Sequence, residues 1–160
     1  IVMVGPVVKV DPATLPQASN IHWLGQREYS TLPGHVKGFS VCLMPFALNE
    51  ATEFINPTKT LEYMAAGKPI VSTAVPDVVR NFTPVVQIAR SARDFVTLAN
   101  QAAENPDSAL VAQGLEKAAA ASWENIVGKM NRLIRDVSET TTPAMRAVRR
   151  FLPVGELAVQ

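Results

Sequence analysis

The chain has 160 residues, of which 48% are hydrophobic and 18% charged, and its 15 basic and 14 acidic side chains leave a net charge of +1. That length buries a sizeable core as one compact domain, with or without a tail, and the near-neutral balance argues against a general nucleic-acid surface, which needs clustered positive charge. One cysteine (Cys42) excludes an intramolecular disulfide and points to a reducing compartment; with only His22 and His35 beside it, structural zinc has no ligand set. The longest apolar run, Val41 to Leu48, is interrupted by Pro45 and falls well short of the about 20 residues of a membrane span.

The opening Ile1-Val-Met-Val-Gly5 is an apolar run closed by a turn residue and reads as a buried strand. It has no initiator Met, basic n-region or small-residue cleavage site, so it is no signal peptide, and a chain opening in a core strand looks cut from something larger. Pro6 to Ser19, with Pro6, Pro12 and Pro16, is expected to be a loop without a regular element. Asn20 to Gly25 reads as a short strand, and Glu28 to Lys37 as a helix broken or delayed at Pro33-Gly34. Phe39 to Phe46 is a continuous apolar strand of the kind a parallel sheet covers on both faces, and Asn49 to Asn56 a polar loop with Glu50 and Glu53.

Pro57-Thr58 then open a helical run, Lys59 to Ala66, closed by Gly67 and followed by Pro69, and Pro69 to Thr73 is a strand. Asp77, after Val75-Pro76, reads as a turn residue. Val85 to Ala89 is another strand. Ser91-Ala-Arg-Asp94 has capping-box spacing and opens a helix in which Phe95, Leu98, Ala99 and Ala102 share a face. Two more helices are expected, about Ser108 to Ala121 and Trp123 to Val137, the latter burying Ile126, Met130, Leu133 and Ile134. Thr140 to Pro143 reads as a linker and Ala144 to Leu152 as a short basic amphipathic piece. The alternation of strand and helix predicts an α/β fold: a Rossmann-like parallel sheet flanked by helices.

In such sheets ligands bind beyond the carboxyl ends of strands, which singles out the loop after Phe46 and the helix start near Thr58. Helix N-termini favour phosphate; Thr58 and Thr60 add hydroxyls, Lys59 a full charge, and Glu62, almost one turn deeper, a carboxylate able to accept bonds from a ribose diol. Spacing alone does not separate this from a well-started helix with Lys59 and Glu62 solvated at i, i+3. No Gly-x-Gly-x-x-Gly or P-loop pattern occurs.

The segment Asn49-Glu-Ala-Thr-Glu-Phe-Ile-Asn-Pro-Thr-Lys-Thr-Leu-Glu-Tyr-Met-Ala-Ala-Gly-Lys-Pro-Ile-Val-Ser-Thr73 resembles the donor-site signature of GT-B glycosyltransferases, in the large retaining group called family 4. Val4-Gly5-Pro6, Ile21 to Gly25 and Val41 to Pro45 fit the same C-terminal donor-binding domain in order, and the resemblance covers roughly residues 1 to 137. It implies a domain over 1–137 lacking its first strand and helix, with 138–160 as linker and tail. It also implies that Glu62 binds the ribose and that the backbone around Thr58, Lys59 and Thr60 meets the diphosphate, with Asn56 beside it. The turn Gly25-Gln26-Arg27 would contact the base, and Lys59, with Glu53, would carry the catalytic role.

One departure stands out: the family pattern has a first glutamate eight positions before the second, and counting back from Glu62 lands on Phe54, with Glu53 one residue further. The implied activity is transfer from a nucleoside-diphosphate sugar, without a metal cofactor, to a glycan or lipid-linked acceptor held by a further N-terminal domain; no Asp-x-Asp pair occurs. A GT-B sugar-nucleotide epimerase and a non-catalytic nucleotide-sugar-binding module are the rival readings. The isolated piece is expected to be inactive and open to self-association through apolar surface. The expected location is the cytoplasm, with Arg146 to Leu152 a weak candidate for touching the inner face of a membrane. Cys42, Met44 and Met64 read as core, and Trp23 and Trp123 as core or edge anchors.

Overall fold

The structure, a computed structural model, describes residues 1–140, with side chains as far as Ser138; the basic piece at Ala144 to Leu152 lies outside the described residues. Residues 1–118 form one compact unit, and a second begins at Ala119.

In the first unit five strands, parallel to their partners within each sheet, alternate with helices, giving a Rossmann-like α/β fold. The strands are β1 (Val2–Val4), β2 (His22–Gly25), β3 (Cys42–Met44), β4 (Ile70–Thr73) and β5 (Val86–Ala89). The single sheet expected from the sequence is instead two: a β1-β2 pair and a β3-β4-β5 triplet. Between them lie α1 (Leu32–Lys37), α2 (Glu50–Glu53), α3 (Lys59–Ala65) and α4 (Pro76–Phe82), and α5 (Ala92–Glu104) and α6 (Ser108–Ala120) follow.

The triplet carries the core because its strands are apolar on both faces. Cys42, Met44, Ile70 and Val86 pack with Met64 of α3 and with Val78 and Phe82 of α4 on one face. Val71 and Ala89, one step along the pleat, pack on the other with Ala102 of α5. Gly114 brings α6 against the first of these layers: a Cβ there would meet Val85 Cγ1 at 3.1 Å and Met64 Cγ at 3.4 Å. Gly67 ends α3 with φ +64°, a left-handed conformation that only glycine adopts without strain, and its N–H donates to Met64 O over 2.9 Å.

Several expectations need correction. β1 is a strand but not a buried one: Val2 is 40% and Met3 38% exposed, and neither core cluster draws on its side chains. The Pro6 to Ser19 loop contains a 3-10 turn at Pro12–Thr14, started by Asp11, whose Oδ1 accepts from Ala13 N–H at 2.9 Å. Asn49 to Asn56 is not all loop, since α2 fills its middle, with Asn49 N–H donating to Thr52 Oγ1 (3.1 Å). Asp77 lies in the first turn of α4 rather than in a turn, and its Oδ1 accepts from Asn81 Nδ2 at 2.8 Å. At α5 Ser91 Oγ caps the helix by accepting from Asp94 N–H (3.1 Å), but Asp94 Oδ2 accepts from Arg90 N–H (2.8 Å) instead of from Ser91 N–H.

In the second unit α7 runs from Trp123 to Thr140, and Ser122 Oγ caps it by accepting from Asn125 N–H at 3.3 Å. Its apolar stripe is exposed rather than buried: Trp123 is 78%, Met130 55%, Leu133 65% and Ile134 62% open to solvent, and Ile126 is exposed as well. The helical period sorted these side chains onto one face correctly, but period alone does not supply a surface to cover it.

Candidate functional site

The carboxyl end of β3 opens into the longest structured connection of the triplet, Pro45 to Thr58, which carries α2 and delivers the chain to α3. The end of β4 holds it in place. Thr73 donates its hydroxyl to Phe46 O over 2.8 Å, and Ser72, fully buried, donates to Thr73 O at 2.9 Å with Met44 O at 3.4 Å. Two hydroxyl residues closing an otherwise apolar strand are the signal in the sequence for this positioning pair.

Along the connection, Glu50 and Glu53 bound α2 and are exposed, and Thr52 Oγ1 folds back to donate to Ala47 O. Phe54, eight positions before Glu62, is 87% exposed. Asn56, Thr58 and Lys59 are exposed around the buried Pro57. Within the first turn of α3, Thr60 N–H donates to Pro57 O (3.0 Å) and Leu61 N–H to Thr58 O (3.1 Å), so the N–H groups of Thr58 and Lys59 are the ones left outside the backbone ladder. Glu62 follows on the exposed side of the helix. Thr60 differs from the rest: its side chain is fully buried and its hydroxyl points to Met44 Sδ at 3.6 Å, so position 60 offers a ligand its backbone and not its oxygen.

Gly25, Gln26 and Arg27 leave the carboxyl end of β2, in the other sheet, with Gly25 at φ +67° and the next two side chains exposed. Among the described residues no hydrogen bond joins this turn to the 45–62 stretch. The structure therefore gathers Glu53, Asn56, Thr58, Lys59 and Glu62 on one connection and leaves 25–27 on a separate strand end. A shallow recess of about 420 Å³, open to solvent, lies elsewhere among the described residues: Phe39, Lys68, Pro69 and Val111 line it at the amino ends of β3 and β4, where Lys68 Nζ donates to Lys37 O over 2.7 Å. No group of three or more His, Cys, Asp or Glu that could hold a metal occurs among the described residues. Nor is any helix among them long and apolar enough to cross a membrane.

A family model described as glycosyl transferases group 1 matches residues 1–105, which takes in all five strands and the whole connection from β3 to α3. The chain belongs to that family. A Bacillus subtilis (strain 168) protein provisionally named a teichuronic acid biosynthesis glycosyltransferase, TuaH, is 28% identical to it over 67 residues, 42% of this chain and 17% of that protein. No solved structure matches at a comparable level. This group 1 glycosyltransferase chain thus presents its motif stretch where a doubly wound sheet presents ligands, on loops beyond the strand ends.

Proposed function

We propose that this group 1 glycosyltransferase chain is the donor-binding half of a metal-independent, retaining hexosyltransferase, and that residues 56–62 hold the diphosphate and ribose of a nucleoside-diphosphate sugar. The observation carrying this reading is the exposed run Asn56, Thr58, Lys59, Glu62 at the carboxyl end of β3 in a chain of a glycosyltransferase family. Breaking the bond between the anomeric carbon and the donor's phosphate oxygen leaves negative charge on the departing diphosphate. The Lys59 ammonium and the N–H groups of Thr58 and Lys59 stabilise charge where it develops. Glu62 accepts hydrogen bonds from the ribose hydroxyls, fixing the nucleotide along α3. Glu53 reaches the donor sugar, and Gln26 and Arg27 meet the base. The acceptor, a glycan or lipid-linked glycan, is held by polypeptide outside residues 1–160, and this stretch alone binds donor without transferring it. Support for a metal-independent path comes from the sequence, which contains no Asp-x-Asp pair.

Calorimetric titration with UDP, GDP and dTDP tests the reading. One of the three is expected to bind, and Glu62→Ala and Lys59→Ala each to weaken it by about tenfold or more, equivalent to about 1.4 kcal/mol. A folded protein that binds none of them, or two silent substitutions, overturns it.

A further inference from the structure

The apolar side chains of α7 recur at the spacing of a seam between two helices. Trp123, Met130 and Val137 stand one heptad apart, and Ile126 and Leu133 each follow three residues after the first two. This is the a/d pattern in which the side chains of one helix insert between those of another. Val127 and Ile134 widen the stripe on one flank. On the other flank stand Lys129 and Asp136, one heptad apart and opposite in sign. The apolar stripe is exposed along its length, and a contiguous apolar face of this kind marks an interaction surface.

The charges on α7 decide what covers that stripe. Lys129, Arg132 and Arg135 are balanced by Glu124, Asp136 and Glu139, so the side chains of the helix carry no net charge. A helix that lies on a membrane presents a basic polar face to anionic lipid, and this one does not. The flanking pair fits a second copy of the same helix instead. When two α7 helices run antiparallel with Met130 opposite the partner's Leu133, the two-fold axis brings Ile126 to the partner's Val137 and Val127 to the partner's Ile134. The same register sets Lys129 beside the partner's Asp136, twice over by symmetry. A parallel pair loses this match, because Lys129 would then lie against the partner's Ile134.

We propose that α7 is a dimerisation helix: two copies of this chain pair through an antiparallel α7 seam whose register is set by the reciprocal Lys129–Asp136 contacts. The 18 residues of α7 extend about 27 Å, or about two and a half heptads. So short a seam belongs to the small end of specific interfaces, and the dimer assembles and separates with concentration. In dilute solution each copy keeps its stripe open. The inference is independent of the donor-site reading, since no residue of the 45–62 stretch takes part in the seam.

Sedimentation equilibrium of the 160-residue chain from about 1 μM to about 1 mM is the test. The mass is expected to rise from monomer to dimer and to stop there. Lys129→Asp and Asp136→Lys each set like charges against one another at both contacts, and each is expected to weaken dimerisation by about tenfold. The double variant Lys129→Asp/Asp136→Lys rebuilds both contacts with the signs exchanged and is expected to return the dissociation constant to within about threefold of the original. Both positions are exposed, so the thermal midpoint in dilute solution is expected to hold, which separates loss of pairing from loss of the helix. A mass that stays monomeric to about 1 mM, or assembly that runs on past the dimer, overturns the proposal. So does a dimer that tolerates both single reversals, or a double variant that pairs no better than they do.

Discussion

Thr60 gives its hydroxyl to the sulfur of Met44 across 3.6 Å, tying the first turn of α3 to the last residue of β3 inside the core. The helix start is therefore fixed to the strand end by a buried contact, while Thr58 and Lys59, its immediate neighbours, stay exposed. A thioether is a weak acceptor, and valine matches threonine in shape, so Thr60→Val is expected to change stability by no more than about 1 kcal/mol. Nucleotide affinity is expected to hold within about twofold, because the hydroxyl points away from the site. Urea denaturation and the titration described above check both halves. A tenfold loss of affinity with unchanged stability would mean that the hydroxyl turns outward to the ligand.

Thr73 acts on the same connection from the other side, donating to Phe46 O at 2.8 Å. Thr73→Val removes that donor from a half-buried carbonyl and is expected to cost about 1–2 kcal/mol in stability. It is also expected to weaken nucleotide binding several-fold, since the backbone leading to Lys59 loses an anchor. Thr73→Ser, which keeps the hydroxyl, is expected to restore most of both. Failure of serine to rescue would assign the effect to packing of the methyl group instead.

How far these features can be read from the sequence depends on how local their causes are. α3 and its Gly67 terminus were legible because capping and the left-handed glycine are set within a few residues of chain, and β3, β4 and β5 because their apolar runs are bounded by Pro, Gly or polar residues. α4 escaped notice because Pro76-Asp77 resembles a turn until Val78 and Phe82 are seen to bury against the sheet. The inward turn of Thr60 was invisible, since its partner is 16 residues away; the two hydroxyls at the end of β4 stand out in an apolar strand, but their partners, still further along the chain, do not. The division into two sheets was equally hidden: strand pairing is decided between segments, and no pattern within β1 or β3 states which edge is covered. On the candidate site, position was readable from the order of strand, loop and helix, whereas the separation of Gly25–Arg27 from the 45–62 stretch needed the strand assignment.

The exposed stripe on α7 makes a contrasting prediction. Leu133 and Ile134 are both more than half exposed, so replacing either with lysine removes little buried area. Leu133→Lys and Ile134→Lys are each expected to shift the thermal midpoint by less than about 3 °C, within the ±0.5 kcal/mol typical of open surface sites. Both are expected to lower binding of an apolar dye and to raise the concentration at which the chain self-associates. Calorimetry with dye titration reads the two effects, and a loss of several kcal/mol would show that the stripe is covered in solution.

Cys42 sets an alkaline limit on stability. Burial in β3 pushes its thiol from the ordinary 9.0 up to about 11, with the positive charge of Lys68 pulling it back only in part. Tyr63 is raised in the same direction, first by burial and then by the negative charges of ionised Cys42 and of Glu62. A group whose pKa is higher folded than unfolded contributes stability that is complete below its unfolded pKa and is lost as the pH climbs through its folded one. The urea midpoint is therefore expected to be level between about pH 7 and 8.5 and to fall between pH 9 and about 11, by something of order 2 kcal/mol for the thiol. Cys42→Ala, less stable at neutral pH through its lost packing, is expected to show a shallower alkaline fall, with the remainder belonging to Tyr63. In the native protein the thiol is expected to resist a disulfide reagent at pH 8 and to react once denaturant opens the sheet, because the buried group stays protonated where a free thiol begins to ionise. A native thiol that reacts at pH 8 as fast as a small-molecule thiol, or a midpoint that stays level to pH 11, would place Cys42 at an open edge rather than under the helices that cover β3.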